Sequence, residues 1–135
     1  MITREELQSI PRLYKQITRD KEQLRYLQEK ATAIQSTLGF ETEKVQSSPN
    51  NNATKYIEAA VDLDKEIHTK ELELVELQGE AKEFIETVKE KRLAYQVLKL
   101  RYLRCCEWDE VSDITGYAVR YIQQLEHDTT ISLSI

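Results

Sequence analysis

The apolar residues in the first third of the chain recur in a seven-residue pattern. Two interleaved series carry it: Ile10, Ile17, Leu24, Ala31 and Leu38, and Leu13, Asp20, Leu27 and Ile34. Heptad spacing predicts a long α-helix with one narrow apolar face. Because proline is favoured in the first turn of a helix, Pro11 suggests a helix that begins at about Ser9, its cap, and runs to Leu38, ended at Gly39.

Thr3 and Glu6, ahead of this helix, have the spacing of a capping box. In that motif each side chain accepts a hydrogen bond from the backbone amide of the other residue. Ile2 and Leu7 are placed to pack together as a hydrophobic staple. We therefore predict a short helical start that Pro11 interrupts.

A loop is predicted at residues 39–53, where Val45–Asn52 combines a proline with small polar residues. We expect Asn52 or Thr54 to cap the helix that follows. That helix again shows two heptad series: Ala60, Ile67, Leu74, Ala81 and Val88, and Tyr56, Leu63, Lys70, Leu77 and Phe84.

Asp20 and Lys70 are the charged residues that interrupt these series. When the two helices fold back antiparallel about the loop, Asp20 comes opposite Lys70, which predicts an ion pair that fixes the register. The alternative is two separately solvated charges. Two narrow seams bury little surface on their own, so we expect a homodimer.

The C-terminal third predicts three further helical segments. The first carries apolar positions at Leu93, Val97, Leu98, Leu100, Tyr102 and Leu103, the second at Trp108, Val111 and Ile114, and the third at Ala118, Ile122 and Leu125. Cys105–Glu107 forms a short connection, and Gly116 suits the left-handed cap that ends the second segment. Two short helices around such a turn predict a helix-turn-helix. Whether the second long helix continues into the Leu93 segment or breaks near Lys89–Arg92 stays open.

The fold class is therefore all-α, with a long antiparallel, coiled-coil-like helical hairpin followed by a C-terminal helix-turn-helix. The expected domains are the hairpin at 1–88, the helix-turn-helix at 89–130 and a tail at 131–135. The chain of 135 residues contains only 3 glycines and 2 prolines, which agrees with a helical protein.

Composition limits the cellular setting. No apolar run is long enough to span a membrane, and Met1–Ile10 does not have the form of a secretory signal. The two adjacent cysteines then indicate a reducing cytoplasm.

The net charge of −5 is unfavourable for a nucleic-acid binder, but its distribution matters more. Residues 47–88 carry 10 acidic and 4 basic side chains, whereas residues 89–135 carry 7 of each. The C-terminal third is therefore compatible with DNA, with few phosphate contacts unless two copies act together.

The third C-terminal segment, from Ala118 to Asp128, is the candidate recognition helix. Arginine pairs well with guanine, glutamine with adenine, and an apolar side chain with the thymine methyl group. The predicted base contacts are Val119, Arg120, Gln123, Gln124 and His127, and the predicted phosphate contacts are Lys99, Arg101, Arg104 and Tyr121. The alternative is a solvated helix face in a purely structural three-helix module.

The remaining chemistry favours a protein that is not an enzyme. Asp109, Glu110 and Asp113 suit the start of a helix, and no partner base or nucleophile accompanies them. The pair Cys105 and Cys106 lacks the second ligand pair of a zinc site, which favours free thiols. His68 has no companion ligand either and is expected at the surface. We expect no metal, no cofactor and no small-molecule substrate.

Several motifs resemble those of a known family. They are Leu98-Lys99-Leu100-Arg101-Tyr102-Leu103, Trp108-Asp109-Glu110-Val111, Gly116-Tyr117 and Arg120-Tyr121-Ile122. These runs resemble the region 4 helix-turn-helix of sigma-70-type factors. With Val45–Asn52, the layout is similar to that of short phage and prophage proteins related to the ArpU-type late transcription regulators.

This resemblance implies a regulator encoded by a phage, a prophage or another mobile element. Its expected partners are double-stranded promoter DNA and bacterial RNA polymerase, in the cytoplasm of the host. Ala118 stands where such proteins often carry a capping Ser or Thr. Thr115 stands where a leucine is usual, which leaves Ile114 or a shifted packing to fill the core.

Two other function classes remain open. One is a protein-interaction module that docks on RNA polymerase or on another host or phage protein without reading DNA. The other is a structural phage component that forms a large assembly.

Overall fold

The computed structural model describes residues 1–40 and 51–133, and all regular structure within those residues is helical. The α-helices are α1 (Arg4–Phe40), α2 (Asn51–Thr87), α3 (Arg92–Leu98), α4 (Trp108–Thr115) and α5 (Val119–Thr130). A π-helix covers Lys99–Leu103, and a short 3-10 helix covers Ile131–Leu133. The all-α class and the long N-terminal helix pair are confirmed. The centre of the predicted loop, 41–50, and residues 134–135 of the tail lie outside the described residues.

The capping box at the N-terminus is confirmed. The Thr3 amide donates to Glu6 Oε1 at 3.0 Å, and the Glu6 amide donates to Thr3 Oγ1 at 3.1 Å. This box starts α1 at Arg4, so the prediction that the helix restarts at Ser9 is wrong. Pro11 lies inside α1, because the packing of Leu7 and Ile10 in the core outweighs the one backbone hydrogen bond that proline removes.

The predicted ends of the two long helices next to the loop also differ from the structure. The first long helix includes Gly39 and runs to Phe40. The second begins at Asn51, ahead of both Asn52 and Thr54, so the expectation that one of these residues caps it is wrong. Helix ends are the least certain part of any pattern-based prediction, since the residues there have few local constraints.

The chain divides into two compact units, and both long helices contribute to each. One unit is Gln16–Glu71. In it, Lys70 Nζ donates to Asp20 Oδ2 at 2.6 Å, and both side chains are partly exposed. Lys21 and Glu71 form a second ion pair at 2.9 Å. The predicted antiparallel register and the Asp20–Lys70 pair are confirmed.

The other unit combines Met1–Lys15 with the chain from Leu72 onward. Its largest cluster of buried residues consists of Ile2, Leu7, Ile10, Ala81, Phe84, Ile85, Leu98, Tyr102 and Leu133. The start of α1 therefore packs with the end of α2 and with the C-terminal third. The tail takes part through Leu133.

The second long helix breaks before the C-terminal third. It ends at Thr87, and α3 begins at Arg92 after a turn in which the Lys91 amide donates to Val88 O at 2.9 Å. The predicted Leu93 helix is then divided into α3 and the π-helix, where the Arg104 amide donates to Lys99 O. Among the described helices, none is both long and apolar enough to cross a membrane.

Candidate nucleic-acid interface

A tight turn joins α4 to α5. Gly116 takes the left-handed conformation, with φ of 81°, and its amide donates to Ser112 O at 2.8 Å. Ser112 Oγ donates to Tyr117 O at 2.6 Å, which holds the chain on the far side of the glycine. The predicted glycine cap is confirmed, and the turn fixes the direction in which α5 leaves α4.

The backbone amides at the starts of α4 and α5 find their hydrogen-bond partners in different ways. At the start of α4, the Glu107 amide donates to Glu110 Oε1 at 3.0 Å. At the start of α5, Ala118 is the N-cap and supplies no side-chain hydrogen bond, since alanine has no acceptor. The amides of Tyr121 and Ile122 bond to Ala118 O. The first turn of α5 thus depends on backbone bonds and on packing.

One small core holds α5 in place. Val97, Leu100, Val111 and Ile122 are buried together, and they come from α3, the π-helix, α4 and α5. Ile114 does not join them, because 54% of its side chain is exposed. Thr115 is half-buried, and its hydroxyl donates to Val111 O at 2.8 Å. Of the two alternatives, Ile114 does not fill this core, which leaves the shifted packing.

The opposite face of α5 is open to solvent. Arg120, Tyr121, Gln123 and Gln124 are all exposed. Gln124 Nε2 donates to Asp128 Oδ1 at 2.9 Å, so the amide predicted to contact adenine already has a carboxylate partner. Tyr121 stacks on Tyr117, with 5.3 Å between the ring centroids.

His127 and Val119 are less exposed than these four residues. Both are half-buried. His127 Nδ1 lies 3.0 Å from Arg4 Nη2, and Arg4 Nε donates to Thr130 Oγ1 at 3.2 Å. Because arginine can only donate, His127 Nδ1 must be the acceptor in this contact. The side chain of His127 is thus used to join α5 to the start of α1.

Besides Tyr121 on α5, the predicted phosphate contacts are divided between two surfaces. Lys99 and Arg104 are exposed and border an open depression with Tyr95 and Gln96. Arg101 instead lines a different cavity, of about 300 Å³, with Trp108 and Glu126. Its guanidinium carbon lies 4.8 Å from the centre of the Trp108 ring, and Nη1 donates to Cys106 O at 2.9 Å. Arg101 therefore holds the connection between the π-helix and α4.

A buried polar network beneath α5 was not foreseen. Glu126 is 5% exposed, and its Oε2 accepts a hydrogen bond from the Tyr102 hydroxyl at 2.9 Å. Its Oε1 lies 4.0 Å from Arg4 Nη2. Burial, and then the negative charge of Glu126, raise the pKa of Tyr102. The pattern of α5 gave a signal for Glu126, since it falls between Ile122 and Thr130 on the inward face.

The two cysteines are free and half-buried. Cys105 has a φ of 55°, and burial raises the pKa of both thiols, which disfavours the reactive thiolate. In the part of the chain that the structure describes, no group of three or more metal-ligating side chains occurs. His68 is at the surface, as expected, with 76% of its side chain exposed.

Comparison of the chain with protein-family models, with curated proteins and with solved structures gave no match.

Proposed function

We propose that this protein is a DNA-binding transcriptional regulator of phage or prophage origin that acts through a sigma-70 region 4-like helix-turn-helix. The observation that carries the proposal is the exposure of Arg120, Gln123 and Gln124 on α5, directly after a turn fixed by Gly116 and Ser112. These side chains have the donors and acceptors that pair with purine edges in the major groove.

The packing beneath α5 supports the same role. A recognition helix must enter the groove as a rigid body, with its inward face fixed by the rest of the domain. Ile122 and Thr130 are fully buried, and Glu126 is nearly so, which gives α5 one continuous inward face. The outward residues are then presented in a constant orientation.

Electrostatics indicate weak binding by a single copy. Among the residues from 105 onward, Arg120 is the one Lys or Arg, whereas Asp109, Glu110, Asp113 and Asp128 are exposed acids there. Lys99 and Arg104 remain as exposed candidates for phosphate contacts. A homodimer would double the number of such contacts. The proposed setting is the cytoplasm of a bacterial host, with its RNA polymerase as a partner.

Selection of bound fragments from the DNA of the element that encodes the protein, at low and near-physiological salt, tests this function. We expect one enriched site. Arg120→Ala should lower the affinity for that site by about 5- to 150-fold, the range for loss of one base contact. Arg25→Ala is the matched control, because Arg25 is also exposed but lies on α1.

Lys99→Ala separates the two kinds of contact. We expect it to weaken binding to all sequences alike and to reduce the slope of log affinity against log salt by about one. Binding that is unaffected by both Arg120→Ala and Lys99→Ala would contradict the proposed surface.

A protein-docking function is the second candidate, and one observation favours it. Ile114, Tyr117 and Tyr121 are each about half exposed around the turn between α4 and α5. Aromatic residues of this kind are enriched at protein interfaces. Under this alternative no DNA fragment is enriched, and Tyr117→Ala abolishes capture of bacterial RNA polymerase while Arg120→Ala does not.

A further inference from the structure

A cavity of about 300 Å³ lies within the unit that combines Met1–Lys15 with the chain from Leu72 onward. The start of α1 meets the π-helix, the start of α4 and the inward face of α5 there. The lining includes Pro11 and Arg12 of α1, Arg101 and Tyr102 of the π-helix, Trp108 of α4 and Glu126 of α5. A cavity of this volume is large enough for a small molecule, and aromatic walls with a few polar groups are typical of such sites.

Arg101 is fixed in the wall of the cavity with most of its donors unused. Its guanidinium carbon lies 4.8 Å from the centre of the Trp108 ring, and Nη1 donates to Cys106 O. In the part of the chain that the structure describes, this is the one hydrogen bond that Arg101 makes, although a guanidinium has five N–H donors. The stacking and this bond hold the guanidinium plane, so the other donors are preorganised for an anion.

Arg12 brings a second positive charge to the cavity. Its side chain is exposed, and it has no carboxylate or hydrogen-bond partner among the side chains that the structure describes. Arg12 and Arg101 outweigh the one carboxylate of the lining, Glu126, so the cavity is positive in a chain whose net charge is −5. Guanidinium groups with free donors match the planar geometry of a carboxylate.

Glu126 gives the same cavity a hydrogen-bond acceptor. Its Oε2 accepts from Tyr102, whereas the contact of Oε1 with Arg4 Nη2, at 4.0 Å, is too long for a hydrogen bond. Every fully buried side-chain oxygen or nitrogen of the described residues has a hydrogen-bond partner. Oε1 is therefore not sealed in the core, and we infer that it is open to the cavity that Glu126 lines.

We propose that this cavity binds a small aromatic carboxylate that also carries a hydrogen-bond donor. The carboxylate pairs with Arg12 and Arg101, the ring packs against Pro11 and Trp108, and a hydroxyl or amine donates to Glu126 Oε1. A phosphate of the DNA backbone presents acceptors to a protein, so it would leave Glu126 without a donor. The site does not depend on DNA reading.

Titration with 4-hydroxybenzoate is the first test, because this compound has a carboxylate, a ring and a hydroxyl at the opposite end. Trp108 is the one tryptophan of the chain and lines the cavity, so its fluorescence reports occupancy. We expect a saturable change with a Kd of about 1 mM or lower, in keeping with a ligand of about ten heavy atoms. A change that does not saturate would overturn the proposal.

Two related compounds test the two ends of the ligand without altering the protein. Benzoate lacks the hydroxyl and should bind at least about five-fold more weakly, because Glu126 then gains no donor. 4-Hydroxybenzamide lacks the negative charge and should bind at least about ten-fold more weakly. Equal affinities for the three compounds would reject the assigned site, since neither Glu126 nor the arginines would then recognise the ligand.

Arg12→Gln tests the positive charge at a residue whose exposure and lack of a partner leave the fold unchanged, which circular dichroism verifies. The affinity for 4-hydroxybenzoate should fall at least about five-fold, and Arg12→Lys should keep part of it. Arg92→Gln is the matched control, because Arg92 is exposed in the same unit but does not line the cavity. Equal losses in Arg12→Gln and Arg92→Gln would indicate unspecific attraction and contradict the site.

The selection of DNA fragments is made separately on the same protein. A chain that binds 4-hydroxybenzoate and enriches no DNA site would reject the proposed function and leave the cavity site intact. A chain that enriches a DNA site and does not bind the compound would do the reverse.

Discussion

At the scale of single residues, Glu126 is the most informative side chain. A buried carboxylate is costly unless it is paired and hydrogen-bonded. Tyr102 donates to one of its oxygens and Arg4 lies near the other. Three elements, α1, the π-helix and α5, are thereby joined at one charge.

Tyr102→Phe tests how much this network contributes to the stability of the fold. We expect the free energy of unfolding to fall by about 1.5–3 kcal/mol, the usual contribution of a hydrogen bond to a charged group. Tyr26→Phe, at an exposed position on α1, should change it by less than about 0.5 kcal/mol. Chemical denaturation at a fixed protein concentration measures both. A loss no larger than that of the control would show that Glu126 does not depend on Tyr102.

The same tyrosine predicts a dependence on pH. Its pKa is raised in the folded state, so the unfolded chain loses this proton first, near pH 10. The corresponding stability is fully present below pH 10 and decreases as the pH rises above it. As the pH rises from about 10 to 11.5, the free energy of unfolding should fall less steeply in Tyr102→Phe than in the wild type. Equal slopes in both proteins would contradict the assigned environment.

At the scale of elements, Gly79 and Gly116 have opposite requirements. Gly79 is exposed inside α2, and an added Cβ there would have no atom within 4 Å. Gly116 has a positive φ that residues with a Cβ rarely adopt. The first glycine costs α2 stability, and the second is needed for the turn before α5.

Paired alanine substitutions separate these roles. Gly79→Ala should raise the free energy of unfolding by about 0.5–1 kcal/mol. Gly116→Ala should lower it by about 1 kcal/mol or more, because alanine is strained in the left-handed region. Thermal unfolding followed by circular dichroism measures both. A stabilising effect of Gly116→Ala would mean that the turn is not held in this conformation.

At the scale of the molecule, residues from both ends of the chain share one core. Ile2 and Leu7 pack in the cluster that also contains Tyr102 and Leu133. The N-terminal residues were predicted to begin a separate hairpin. Their burial makes the start of α1 part of the unit that carries the candidate interface.

Leu7→Ala should therefore destabilise the C-terminal third, which is distant in sequence. Leu7 is fully buried, and truncation of such a leucine costs about 2–5 kcal/mol. Trp108 is the one tryptophan and lies in the same unit, so its fluorescence reports this unit during denaturation. Ile131→Ala, half exposed, is the control. An unchanged Trp108 transition in Leu7→Ala would show that the two ends are not coupled.

The sequence by itself determined the features that depend on near neighbours along the chain. The heptads of the two long helices, the Thr3–Glu6 capping box and the Gly116 turn follow from spacings of three to seven residues, and the structure contains all of them. The Asp20–Lys70 pair was also predictable, because two regular seams about one loop allow few registers.

Only the tertiary structure decided the contacts that join distant segments. The continuity of α1 through Pro11 and the contact of His127 with Arg4 depend on which segments pack together. Periodicity places a residue on a face of its helix but does not say what covers that face. For this reason the exposed residues of α5 were largely identified from sequence, whereas His127, which contacts Arg4 at the start of α1, was not distinguished from them.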